Sequence, residues 1–295
     1  MGTFTNNIEN FFRRKTILSN LIVINIAVFL ILKIVGVFCA LFQLTPEYFH
    51  SLLELPSGFD RLIFRFWTFI TYMFVHLDFW HILFNMLWLF WFGRIFLLFF
   101  PPKQMAGMYI LGGLVGGTLF ILSYNFFPFF ESSSNSSYLI GASASVMAIV
   151  FATAFYRKNF EIPLLFIGNI KIIYVALICL IIDLLSITSL NAGGHIAHIG
   201  GAIVGILFAE CIKNGTDITL WINKIIDMLI NLFKKKPAQM HVKYKRFESD
   251  YEYNKKKNTS NEEIDHILDK IKKSGYGSLS DDEKKKLFEA SKNNG

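Results

Sequence analysis

The strongest constraint on this chain is that its middle is a succession of long apolar runs. A helix needs about 20 mostly apolar residues to cross a hydrocarbon core of about 30 Å. Within lipid, only helices and closed barrels satisfy their own backbone groups. The runs lie at Ile17 to about Phe42, about Phe79 to Phe92, Met105 to about Phe126, Gly141 to Tyr156, about Lys171 to Leu190, and about Gly194 to Glu210. Only 17% of the residues are charged, against about 25% in soluble domains, and the charges crowd into the two ends of the chain. The expected fold is therefore an all-α membrane protein, a bundle of six transmembrane helices in a lipid bilayer.

Lysine and arginine set the orientation. Arg13, Arg14 and Lys15 flank the first run, Arg94 and Lys103 separate the second from the third, Arg157 and Lys158 the fourth from the fifth, and Lys213 follows the sixth. The loops after the third and fifth runs carry neither residue. By the positive-inside rule both termini are cytoplasmic, and the loop after the first run is external. Arg61 and Arg65 in that loop run against the trend and are outweighed. The first run is too long for a signal-peptide core and is expected to be retained. Lys33, inside it, can snorkel towards an interface or pair inside the bundle, and snorkelling is the expectation.

These boundaries divide the chain into a cytoplasmic N-terminus (1–16), a six-span core (17–213), an amphipathic membrane-surface helix (214–236) and a cytoplasmic tail (237–295). In the amphipathic segment Ile218, Trp221, Ile222, Ile225, Ile226, Leu229, Leu232 and Phe233 recur at helical spacing, and Lys234-Lys-Lys236 follows. Such a helix lies on a leaflet through apolar area and basic charge. Residues 237–261 are polar, with the composition of a flexible segment. Two short helices are expected at Ile264–Lys273 and Ser280–Ser291, the second opened by a Ser280/Glu283 capping box. The net charge of +7 fits a membrane surface better than nucleic acid. Cys39, Cys179 and Cys211 lie in apolar runs without paired spacing and read as small core residues.

Three runs carry groups with chemical potential. Ser143 opens the fourth run, His198 sits in the sixth, and His76, His81 and Asn85 belong to the second. At about 1.5 Å of rise per residue, Ser143 stands roughly 21 Å from Arg157, His198 roughly 22 Å from Lys213, and His81 roughly 20 Å from Arg94. Each lies on the side away from the cytoplasm. Three polar groups on three helices thus share one level, roughly 10 Å below the external face of the core. Gly141, Ala142, Ala144, Ser145 and Ala148, with Ala197, Gly201 and Gly205, supply the small-residue strips that let helix backbones approach closely. A serine hydroxyl beside an imidazole is a nucleophile with its base. His81 and Asn85, four residues apart on one helix face, are neutral donors suited to an oxyanion.

A blander reading exists for each residue: a serine bonded back to its own helix, or polar side chains that glue helices together. A zinc site of His76, His81 and His198 is disfavoured by the spacing of five and the lack of a nearby carboxylate or thiolate, so neither metal nor cofactor is expected. Asp183 lies roughly 18 Å above Lys171 by helix rise, near the level of the serine and histidine. Intramembrane acids are costly and usually paired. Asp183, or His195, is expected to orient His198 as a third member; Ser186, Thr188 or a backbone N–H are the competing partners for Asp183.

Gly141-Ala-Ser143 resembles the Gly-x-Ser-Gly nucleophile motif of the rhomboid family of intramembrane serine proteases. Ala197-His198-x-x-Gly201-x-x-x-Gly205 resembles that family's base-bearing helix, and His76-x-x-x-x-His81-x-x-x-Asn85 its second-span signature. The match covers about residues 60–210. The resemblance implies a Ser143–His198 dyad, an oxyanion hole of His81, Asn85 and the Ser143 backbone N–H, and a membrane-dipping first loop that includes Trp67. It implies single-span membrane protein substrates cut near the external face, and a bacterial plasma membrane; the oligomeric state stays open. Ala144 stands where the family has glycine, Thr68 where it has arginine, and Met147 where it often has an aromatic packed on the imidazole. Two other readings remain. One is a catalytically silent relative that binds transmembrane clients; the other is a small transporter or channel with midplane polar groups.

Overall fold

The computed structural model describes Arg13 and residues 16–164, 168–233 and 250–293. It is mainly helical, and its small sheets are two two-stranded ribbons. Two compact units are present, residues 1–234 and 235–295.

In the first unit, helix α1 (Ile17–Leu41) is capped by the Thr16 side chain, which accepts from the Ser19 N–H. The following loop folds into α2 (Pro46–Ser51), β1 (Leu55–Pro56), α3 (Phe59–Phe64), α4 (Thr68–Thr71) and a 3₁₀ turn, Tyr72–Phe74. Helix α5 (Phe79–Phe99) starts at Asp78, whose carboxylate accepts from the His81 N–H at 3.0 Å. It runs past Gly93-Arg94, the end expected from sequence, because Leu18 and Met105 fill the space beside Gly93 and keep the backbone packed. The stop comes from Pro101-Pro102, which cannot continue a helix but suit the first turn of the next, α6 (Pro102–Phe126). Strand β2 (Tyr138–Leu139) pairs antiparallel with β1. Then follow α7 (Ser143–Tyr156), the ribbon β3 (Glu161–Leu164) and β4 (Gly168–Lys171), α8 (Ile172–Leu185), α9 (Ala192–Lys213) and α10 (Leu220–Phe233).

Four of these helices, α1, α5, α6 and α9, are long and apolar enough to cross a membrane. Helices α7 and α8 have 14 residues each, a rise of roughly 21 Å, and are shorter than expected. Strand pairing at Tyr138–Leu139 and the turn at Gly141 delay the start of α7. Helix α8 gives way at Ser186 to turns through Leu190 instead of continuing to that residue. Large apolar side chains such as Ile34, Trp91, Leu185 and Leu207 stand exposed around the bundle, as lipid-facing positions do.

The centre is built on backbone proximity among α6, α7 and α9. A Cβ at Gly201 would run into the Ala144 carbonyl, and one at Gly116 would lie 2.7 Å from both the Ala144 Cβ and the Ala197 carbonyl. The loop between α1 and α5 is pinned to this centre. The Tyr72 hydroxyl donates to the Gly113 carbonyl (2.6 Å), and the Tyr109 hydroxyl donates to that of Met73 (2.9 Å). Asn25 of α1 donates to Tyr109 at 3.0 Å. The Lys33 Nζ donates to the Leu77 carbonyl at 2.6 Å, which ties α1 to the segment leading into α5. Helix α10 and the segment leading into it are fastened to the start of α6, through Lys103–Asp227 (2.6 Å) and Gln104–Asp217 (2.8 Å) respectively. Cys39 is buried, while Cys179 and Cys211 are half-buried; all three are free thiols.

In the second unit, α11 (Asp250–Ser274) and α12 (Asp281–Asn293) form a hairpin. Helix α11 starts well before Ile264, so residues 250–261 are helical. Lys270–Glu283 (2.9 Å) and Lys286–Glu263 (2.8 Å) join the two helices. Ser280 and Glu283 form a reciprocal capping box: each backbone N–H donates to the other's side chain. Lys234-Lys-Lys236, residues 237–249 and nearly all of residues 1–15 lie outside the described residues.

Candidate active site

The serine is presented by a short extended segment that turns into a helix. Leu139 is held opposite Leu55, and the Gly141 N–H donates to the Tyr72 carbonyl at 2.9 Å. Gly141 has φ +109°, a conformation glycine takes without steric cost. A Cβ there would also stand 2.7 Å from the His81 Nε2. The Ala142 N–H donates to the His76 Nε2 at 3.4 Å. Ser143 is then the first residue of α7, where the leading N–H groups have no intrahelical acceptor and the helix dipole is positive. Ser143 is half-exposed between buried Ala142 and Ala144. This end of α7 suits a nucleophile whose product carries negative charge.

His198 comes from α9 and Asp183 from α8, whose buried residues Ile172, Ala176 and Asp183 form one inward stripe. One Asp183 oxygen, Oδ1, lies 2.9 Å from the His198 Nδ1 and 2.8 Å from the His195 Nδ1. With the proton on Nδ1, each ring donates to the carboxylate and its Nε2 becomes an acceptor. Gly201 meets Ala144 and Met147, and Gly205 meets Ala148 and Phe151. His198, about one turn before Gly201, therefore lies towards the end of α7 that Ser143 opens. No hydrogen bond joins the Ser143 Oγ to His198 among the described residues. Catalytic hydrogen bonds often tighten only when substrate binds.

His81 and Asn85 project from the first two turns of α5. The His81 ring abuts Gly141, where an added Cβ would stand 2.7 Å from its Nε2, and is an electrostatic neighbour of His198. Asn85 is buried and spends one amide hydrogen on the His81 carbonyl (2.9 Å), which leaves the second for a ligand. His76 is fully buried and packs edge-on against His81, ring centroids 4.9 Å apart. Because its Nε2 accepts the Ala142 N–H, the ring is neutral. Its service as the acceptor for the Ala142 N–H has no signal in the sequence beyond the spacing of five residues before His81. The Leu77 carbonyl that Lys33 binds belongs to a distant loop, which no local pattern identifies.

The structure accounts for the three substitutions in the motifs. The Ala144 methyl lies over Gly116, so glycine on α6 makes room for the side chain gained on α7. Without an arginine at position 68, the first loop is tied instead by Trp67 Nε1 to Leu52 O (2.8 Å), Arg65 to Ser51 O (2.7 Å) and Thr71 Oγ1 to Leu53 O (2.8 Å). Thr68 itself is buried and donates to the Arg65 carbonyl. With methionine at 147, the imidazole of His198 is held by Asp183.

Residues 64–214 match the family of the Rhomboid domain, and residues 248–293 match a family of unknown function, DUF6576. The chain is 26% identical over 160 residues to RHOMBOID-like protein 12, mitochondrial, of Arabidopsis thaliana, an alignment covering 51% of this chain and 48% of that protein. The chain thus spans about half the length of that relative.

Proposed function

Since the chain belongs to the rhomboid family, whose domain covers more than half of it, we propose that it is an intramembrane serine endopeptidase. In this reading α7 and α8 also cross the bilayer, giving six spans with both termini cytoplasmic, and Ser143 opens α7 below the external face. Irregular backbone at that depth is tolerated where it lines a watered cavity, which is what the segment before Ser143 requires. The membrane is taken to be a bacterial plasma membrane on the family resemblance; the relative named above is a mitochondrial protein.

The single observation that carries the mechanism is the Asp183 Oδ1–His198 Nδ1 contact of 2.9 Å. It keeps the ring proton on Nδ1 and the Nε2 lone pair available. His198 Nε2 takes the Ser143 proton as Oγ attacks the substrate carbonyl, forming the C–O bond and moving the carbonyl electron pair onto oxygen. The oxyanion is met by the Ser143 N–H, His81 and Asn85. Collapse expels the amine, which takes the proton from His198. Water, deprotonated by the same nitrogen, then releases the acyl group. Asp183 acts through His198 and is a positioning residue.

Substrates are single-span membrane proteins whose helix can unwind at Ser143. A cleft of about 530 Å³ between α5 and α8, lined by Trp88, Trp91, Leu98, Ile162 and Val175, offers apolar surface to such a helix. Cleavage of a model single-span substrate by wild type, lost in Ser143→Ala and in His198→Ala of normal folding, is the expected result. Retained cleavage in either variant refutes the dyad. A wild type that binds but never cuts such substrates would point to a client-binding role.

A further inference from the structure

The mechanism leaves one ring unused. Orienting His198 takes one carboxylate, yet His195 points its Nδ1 at the same Asp183 oxygen from 2.8 Å. We propose that Asp183, His195 and His198 form a site for a divalent transition-metal ion, best suited to zinc, and that the ion switches the base off. The switch rests on the protease reading; the binding does not.

The donor set fits the ion. His195 and His198 are three residues apart on α9, hence on one face, and Asp183 closes the group from α8. Their three ligating atoms lie within 4.8 Å of one another. The ring planes are inclined at 80° with centroids 5.9 Å apart, so the two nitrogens approach the carboxylate from different directions. Two imidazoles and one carboxylate with a fourth position left to water is an established zinc arrangement. The same set disfavours magnesium and calcium, which prefer all-oxygen shells. The carboxylate that the sequence argument against metal found lacking is Asp183, reached across helices rather than along one.

The present spacing is that of hydrogen bonds. Zinc bonds of about 2.0–2.2 Å place tetrahedral ligands about 3.3–3.5 Å apart, so the carboxylate must withdraw by about half an ångström. The His195, His198 and Asp183 side chains are 20%, 17% and 7% exposed. Ions can reach the imidazoles while the acid stays desolvated.

The chemical consequence follows from the tautomer. Metal on Nδ1 occupies the nitrogen that carried the hydrogen, and in the neutral ring that hydrogen moves to Nε2. His198 Nε2 then donates instead of accepting and cannot take the Ser143 proton. No electron transfer is involved, and the ion leaves as it came.

The full chain in detergent is titrated with Co²⁺, whose ligand-field absorption reports four-coordinate binding, and then with Zn²⁺ as competitor. The expected result is saturable one-to-one binding in wild type and in Ser143→Ala, and its loss in His195→Ala and Asp183→Asn. X-ray absorption of the zinc-loaded wild type, which needs no variant to fold, should show two imidazoles in the shell. Turnover should be lost at saturating Zn²⁺ and restored by a chelator. Absent binding, binding indifferent to His195→Ala, or a shell without two imidazoles overturns the site. Undiminished turnover at saturating zinc overturns the switch. Wild type that binds metal but never cleaves without it marks a failed protease reading, and wild type that cleaves but binds no metal marks a failed metal site.

Discussion

Replacing Asp183 by asparagine keeps the shape of the site and removes one charge. Hydrogen bonds to a charged group contribute about 1.5–3 kcal/mol, and neutral ones about 0.5–1.5 kcal/mol. The charge therefore adds about 1–2 kcal/mol to holding and stabilising His198 during proton transfer, or about 5–30-fold in kcat. A much larger loss, about 10⁴-fold, follows in a serine protease when the amide turns its N–H₂ to the histidine and imposes the wrong tautomer. Here two ring N–H groups converge on one oxygen at 2.8 and 2.9 Å. Turning the amide would break both bonds at once, so the oxygen stays. Asp183→Asn should accordingly lower kcat about 5–30-fold on a model single-span substrate, with KM unchanged and the thermal unfolding midpoint in detergent close to wild type. An unchanged kcat would refute the positioning role. A loss near 10⁴-fold would refute the inference that His195 locks the oxygen in place.

Gly201→Val should lower the unfolding midpoint sharply, because its Cβ would run into the Ala144 backbone carbonyl, which has no side-chain freedom to yield; overpacking costs about 1–3 kcal/mol or more. His76→Ala leaves the buried Ala142 N–H without its acceptor and should cost about 1–3 kcal/mol of stability, read by the same assay, with slower turnover because Ala142 adjoins the nucleophile. Truncation after residue 234 should keep membrane retention and turnover, because α10 remains fastened to α6. Truncation after 213 should destabilise the core.

The sequence conveyed the bundle because lipid demands long apolar helices, and those are visible in any single run. The small-residue strips were equally legible: Gly201 and Gly205 do lie against α7, and Ala197 against Gly116 of α6. What sequence could not convey was where local pattern yields to long-range pairing. Leu55 opposite Leu139 shortens α7, and nothing near either residue announces it. The partner of Lys33, the Leu77 carbonyl, is 44 positions away, and no local pattern names it. Helix α5 outruns Gly93 because Leu18 of α1 packs there, again a contact between distant segments. The helix rise put Asp183 at the level of His198, but rise along an axis says nothing about rotation around it. Only the packed helices show both imidazoles turned to a single oxygen.

The central claim is that Ser143 is an activated nucleophile, and a fluorophosphonate tests this without knowledge of the natural substrate. Native membranes containing the full chain are treated with the probe, and the adduct is located by mass spectrometry. The account predicts covalent labelling on Ser143 in wild type, and none in Ser143→Ala or His198→Ala. A folded wild type that stays unlabelled, or a label that persists in Ser143→Ala, would contradict it.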